Sequence, residues 1–187
     1  DKCWCGGRGH RDMCVYTGRI ACALSHYKVY ENMLSKGYKK CLVLEDDFLF
    51  NPNLHKTFNT IHKDIPHDWE MLYLCNSRFI NMNSKQKNYN KSFVMTERSI
   101  SDAGCYGITN KSAKVLFDNF YPIKAAADGY LGVCIDRLYE INKVYISKRD
   151  LSKNGSIDKF KSVNDNIAII QNAVSYTHLR AHETKSY

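Results

Sequence analysis

The stretch CLVLEDD, residues 41–47, sets four apolar residues, Cys41-Leu42-Val43-Leu44, directly before three carboxylates, Glu45-Asp46-Asp47. A short run that is apolar at every position reads as a strand covered on both faces. Three adjacent acids repel one another and are costly to bury without a cation. The stretch therefore reads as a central strand that delivers its acids to the edge of a sheet, where ligands bind in α/β folds. Taken alone, the trio supports two readings, a divalent-cation site or a solvated acidic turn. If the chain stays extended, Glu45 and Asp47 face one side and Asp46 the other.

The flanking segments set this strand in an alternating pattern. Before it, Ile20, Ala23, Leu24, Tyr27, Tyr30, Met33 and Leu34 recur at spacings of three and four, which predicts a helix from Gly18 to Lys36. Gly37 reads as its stop. After it, Asn51-Pro52-Asn53 is a turn, residues 54–63 a helix and Met71–Leu74 a second strand. Residues 76–92 are polar and read as a surface loop, and Phe93–Thr96 and Cys105–Thr109 as short strands. Asn110 or Ser112 caps a helix whose buried stripe is Ala113, Leu116, Phe117 and Phe120. Pro122 ends it, residues 128–140 form another helix, and Lys143–Ser147 another strand. Strands alternating with helices predict an α/β domain with a mostly parallel central sheet flanked by helices.

The 187 residues suffice for one domain with a sizeable core, and 44% of them are hydrophobic. The net charge of +8 is spread over KGYKK (36–40), SKQKNYNK (84–91) and SKRDLSK (147–153) rather than along one helix face. That pattern argues against nucleic acid and suits an anionic small molecule or an anionic membrane surface. Of the eight cysteines, Cys41, Cys75, Cys105 and Cys134 sit in apolar segments, as thiols do in a reducing compartment. Cys3, Cys5, His10 and Cys14 have the spacing C-x-C-x4-H-x3-C, which is not a common zinc pattern, and they read as loop cysteines. Residues 1–17 read as a loop remnant and 18–165 as the main domain, followed by a 166–173 extension. The tail 174–187 changes composition abruptly and reads as non-native, like translated adapter sequence.

Residues 18–50 carry Gly18, Ile20, Cys22 and Ser25-His26 on a helix, then a strand that ends in Leu44-Glu45-Asp46-Asp47. This combination resembles glycosyltransferase family 25, which includes bacterial lipooligosaccharide galactosyltransferases and collagen galactosyltransferases. The resemblance continues in order through DWEMLYL (68–74), GCYGIT (104–109) with Ser112, Ala113 and Leu116, the segment Ile123–Leu131 with Asp128, and Ser156-Ile157. It implies a GT-A-like nucleotide-sugar-binding fold. The family's opening INL-x-R-like strand has no counterpart in the sequence, so the first strand is expected to be missing.

The implied activity moves a hexose, galactose by preference, from a UDP-sugar donor to a glycan or hydroxylated acceptor with inversion. Glu45 and Asp47 are the implied metal ligands, for Mn2+ or Mg2+. Asp128 is the implied general base, with Asp46 the second catalytic acid, although Asp128 also suits a helix N-cap. Ser25, His26, Glu45, Tyr106 and Gly107 form the donor-binding set. For Ser25 and His26 the competing reading is a helix-to-strand hydrogen bond that fixes the acidic turn. For Tyr106 and Gly107 it is a buried strand with a bend. The expected setting is cytoplasmic, at the inner face of a membrane, or the ER lumen in a eukaryotic homologue. Two other readings remain, a receiver-like phosphoacceptor domain and an inactive glycosyltransferase fragment.

Overall fold

A computed structural model describes residues 17–152, except 47, 82–84, 101, 124 and 139. The N-terminal cysteines, Asp47, Ser156-Ile157 and the tail therefore lie outside the described residues. The chain opens with helix α1 (Thr17–Ser35), followed by β1 (Lys40–Leu44), α2 (Leu54–Ile61) and β2 (Met71–Tyr73). A hairpin of β3 (Gln86–Asn88) and β4 (Phe93–Thr96) comes next, then β5 (Cys105–Thr109), α3 (Asn110–Asp118), α4 (Ala127–Asp136) and β6 (Val144–Ser147).

Two helix ends show why these residues stop and start where they do. Gly37, at φ +67°, closes α1 with a pair of bonds, Tyr38 N–H to Met33 C=O at 3.0 Å and Gly37 N–H to Leu34 C=O at 3.1 Å. This left-handed cap satisfies two orphan carbonyls and needs a residue without a Cβ penalty. At α3 the cap is Thr109, one residue earlier than expected, and its side chain accepts from the Ser112 N–H. Ser112 instead turns its hydroxyl to the Glu70 carbonyl, at 2.7 Å.

The six strands form one sheet in the order β1-β5-β2-β6-β4-β3. Only β2 and β6 pair in parallel, and the other four pairings are antiparallel. The expectation of a mostly parallel sheet is therefore corrected. Parallel neighbours need a crossover of a dozen or more residues, usually a helix. Among the described residues no α-helix separates β2, β3, β4 and β5, so β4 and β5 run back against their neighbours. The alternation was still informative, because β1, β2 and β6 all point the same way, with β5 inserted antiparallel between the first two. That order also differs from the all-parallel sheet of a receiver domain. The polar stretch 76–92 contains β3, a strand that its Gln-Lys-Asn composition did not announce.

Side-chain alternation divides the core. On one face, α1, α3 and α4 cover Val43, Met71, Tyr73, Tyr106, Ile108, Val144 and Ile146. On the other, Ile61 of α2 and Trp69 cover Leu72, Leu74, Cys105, Phe93 and Tyr145. Glu70, just ahead of β2, joins three elements. Its carboxylate accepts from the backbone N–H groups of Asn142 (2.9 Å) and Lys143 (3.2 Å), which lead into β6, and pairs with Lys111 of α3. Burial alone would raise this carboxyl, but the Lys111 ammonium and the two N–H donors outweigh it and hold it below the usual glutamate range.

A depressed carboxyl stabilises the fold at pH above its unfolded value of about 4.3 and loses that contribution as pH falls through its folded value. Glu70→Gln is therefore expected to lower the unfolding free energy by about 2 kcal/mol near pH 7. Urea titrations of both proteins should show the gap narrowing once the pH drops below about 4.

Candidate active site

The carboxyl ends of β1, β2 and β6 meet the amino end of β5 along one edge of the sheet, and the acidic turn lies there. β1 ends at Leu44. The next residue, Glu45, is held in line by its N–H to the Gly104 carbonyl at 3.0 Å. Alternation puts Val43 and Glu45 on the face that α1 covers. Beyond Glu45 the chain turns, with the Phe48 N–H returning to the Glu45 carbonyl at 3.2 Å. The extended alternation assumed for the acid trio thus stops at Glu45. Asp46 is exposed on this turn, and Asp47 lies outside the described residues.

His26 reaches the turn from α1. It is 5% exposed, and its Nε2 lies 3.4 Å from Glu45 Oε1. Its Nδ1 lies 2.6 Å from the Tyr106 hydroxyl, which in turn lies 2.8 Å from the Tyr30 hydroxyl. The imidazole also stacks on the Tyr106 ring, with centroids 5.7 Å apart and planes 9° from parallel. Tyr30, Tyr106 and His26 form one run of polar contacts whose direction follows the imidazole tautomer, and His26 Nε2 faces the Glu45 carboxylate at its end. In either direction both tyrosines keep their protons. Burial pushes the Tyr30 and Tyr106 hydroxyls well above the ordinary tyrosine value. Cys22, one turn before His26, completes the cluster with its Sγ 3.9 Å from Glu45 Oε1.

Cys22, His26 and Glu45 present one donor atom each within 4.8 Å of one another, a group able to hold a divalent metal. Glu45 Oε2 faces the other way, 3.8 Å from where a Cβ on Gly104 would stand. The Gly104 N–H donates to Asp102, whose other oxygen accepts from Arg78, both at 2.9 Å. A guanidinium thus sits on the same edge as the acidic turn.

The other residues singled out from the sequence fall in three places. Ser25 is half-exposed and bonds its hydroxyl back to the Ala21 carbonyl at 3.0 Å, within its own helix. Gly107 lies on the opposite face of β5 from Tyr106, where a Cβ would stand 3.3 Å from the Trp69 ring. It makes room for Trp69 and lies away from the acidic turn. Asp128 stands in the first turn of α4, where its Oδ1 accepts from the Gly129 N–H at 2.7 Å. The N-cap position belongs to Ala126, so Asp128 is not the cap. It lies on the same sheet face as His26. Burial raises the Tyr73 hydroxyl, and the carboxylates of Asp136 and Asp128 add to that shift. Tyr73 is the direct cross-strand partner of Tyr106.

Two members of the cluster were missed as site residues, Cys22 and Tyr30. Their signal was present in the spacing, because Cys22, His26 and Tyr30 fall at i, i+4 and i+8 on one helical stripe.

Residues 11–131 match the sequence model of Glycosyltransferase family 25 (LPS biosynthesis protein). A segment of 64 residues, 33% of this chain, is 34% identical to human Procollagen galactosyltransferase 2 and covers 10% of that protein. A rat protein described as Probable inactive glycosyltransferase 25 family member 3 is 33% identical over 60 residues, 30% of this chain and 10% of its own length. A Glycosyltransferase 25 family member from Aedes aegypti is 29% identical over 103 residues, 54% of this chain and 17% of its own. The matched segments thus span only a small part of these relatives. With its family-matched segment running through α1, the acidic turn, β5 and the start of α4, this chain belongs to glycosyltransferase family 25.

Proposed function

We propose that this chain is the catalytic portion of a hexosyltransferase that moves galactose from a UDP-sugar to a hydroxyl of a glycan or hydroxylated acceptor, with inversion. The observation that carries the reading is the acidic turn at the carboxyl end of β1, held by buried His26 inside the family-matched segment. The similarity to a procollagen galactosyltransferase supports galactose as the sugar.

Inversion requires a single in-line displacement. The acceptor oxygen bonds to the anomeric carbon, the bond from that carbon to the diphosphate oxygen breaks, and the acceptor proton passes to a carboxylate. Asp128 takes the base role, and Asp46 acts from the exposed turn. Glu45 orients the turn through Oε1, which is bound to His26, and turns Oε2 towards Gly104. The acidic turn offers only oxygen donors, Glu45 and Asp46 among the described residues and Asp47 from the sequence, which suits a hard cation. Glu45 and Asp47 would hold Mn2+ or Mg2+, and the bound cation would supply positive charge to offset that of the leaving diphosphate. Tyr106 sets the His26 ring, and Arg78 offers a guanidinium to the donor's phosphates at the same edge.

No helix of the described residues is long and apolar enough to cross a membrane. The basic balance of the chain suits an anionic donor and a peripheral approach to an anionic membrane surface, in keeping with a cytoplasmic site of action.

Turnover of UDP-galactose by the full-length protein tests the reading. Asp128→Asn is expected to lower kcat by about a hundredfold or more with the unfolding midpoint nearly unchanged. A purely helix-stabilising Asp128 would instead shift the midpoint and spare kcat. Asp47→Ala should abolish the metal dependence of turnover, and full activity in that variant would remove Asp47 from the metal site.

A further inference from the structure

We propose that Cys22, His26 and Glu45 form a three-donor site for a borderline-soft divalent cation of the zinc class, separate from any hard cation at the acidic turn. The site goes beyond the transferase reading, because it rests on the donor atoms alone. Cys22 and His26 are four residues apart on α1 and so share one face, and the end of β1 brings the Glu45 carboxylate against them.

Two of the three donor separations are close to those of a tetrahedral ion, and all three lie within 4.8 Å. With bonds of about 2.1 Å to nitrogen and oxygen and about 2.3 Å to sulfur, tetrahedral edges are roughly 3.4 Å for N···O and roughly 3.6 Å for S···O. The observed separations are 3.4 Å for His26 Nε2 to Glu45 Oε1 and 3.9 Å for Cys22 Sγ to the same oxygen. The Cys22 thiol must move inward to reach the tetrahedral separation.

The imidazole is already aimed. Its Nδ1 is tied to the Tyr106 hydroxyl, so Nε2 is the nitrogen that faces the other two donors. A metal on Nε2 takes the tautomer with the proton on Nδ1, so that Nδ1–H donates to the Tyr106 hydroxyl and Tyr106 to Tyr30, the outer-shell arrangement that fixes a ligating histidine. The donor set decides the class of ion, because thiolate and imidazole disfavour Mg2+ and Mn2+ and suit zinc. Three protein ligands leave a fourth position open, as in exchangeable or catalytic sites rather than closed structural ones. Glu45 can serve both sites, with Oε1 turned to Cys22 and His26 and Oε2 towards Gly104.

The test uses the full chain and Co2+ alone as a spectroscopic stand-in for zinc, with no nucleotide sugar present. Failure of this site therefore stays distinguishable from failure of the transferase reading. One equivalent of Co2+ should give a thiolate-to-metal charge-transfer band and intense tetrahedral visible bands, both removed by an added equivalent of Zn2+. Cys22→Ser should lose the charge-transfer band. Tyr106→Phe should weaken affinity by about 10- to 100-fold. A variant with Cys3, Cys5 and Cys14 all changed to Ser should keep the bands, which separates this site from the N-terminal cysteines.

Absence of the bands from the unmodified chain, their loss in the triple variant, or their persistence in Cys22→Ser would overturn the site. So would Mn2+ that displaces Co2+ as well as Zn2+ does. If circular dichroism shows Cys22→Ser unfolded, Glu45→Gln decides. Weakened binding with the sulfur band retained supports the site, and unchanged affinity overturns it.

Discussion

The His26 imidazole is the contact on which the rest of this site depends. It joins the longest helix to two strands at once, to β1 through Glu45 and to β5 through Tyr106. A buried imidazole with either nitrogen unpaired would carry a desolvation cost of about 1–3 kcal/mol, so both partners are constrained together. The constraint extends to protons. The tautomer that His26 adopts sets which way the Tyr106 and Tyr30 hydroxyls donate. The second Glu45 oxygen, turned towards Gly104, is left for whatever the acidic turn binds.

This polar chain persists inside an apolar layer because of the sheet's odd topology. β5 runs antiparallel between β1 and β2, so Tyr106 projects from the middle of the sheet into the face under α1. In an all-parallel arrangement with β1 beside β2, no such residue would stand there. The same insertion brings the amino end of β5, with Gly104 and Asp102, to the edge where β1 ends. The turn after β1 is thereby braced from its neighbour through the Glu45 N–H to Gly104 carbonyl bond.

Much of this was legible in the sequence, and what was not has physical causes. The helix, the strand and the stop at Gly37 follow from periodicity and one glycine, because these signals are local. The orientation of β1, β2 and β6 was readable too, since crossover helices force it. The insertion of β5 was not, because strand order is a long-range property that short apolar runs do not encode. β3 escaped because an edge hairpin needs no apolar residues. At the site, His26 lies between helix and strand, the contact weighed beside a donor-binding role, whereas Ser25 turns to its own helix, a bond always open to serine. Gly107, placed in the donor-binding set, has Trp69 against it on the far face of β5.

The two faces of β5 explain how neighbours in sequence come to differ so sharply in role. Tyr106 belongs to the polar chain, Cys105 and Gly107 to the opposite apolar layer, and alternation allows nothing else. An acidic residue at the end of β1 can therefore be tuned from α1, through Cys22, His26 and Tyr30, without disturbing the packing of Trp69 on the far side. The two side chains that meet Glu45 Oε1, Cys22 and His26, come from one helical stripe.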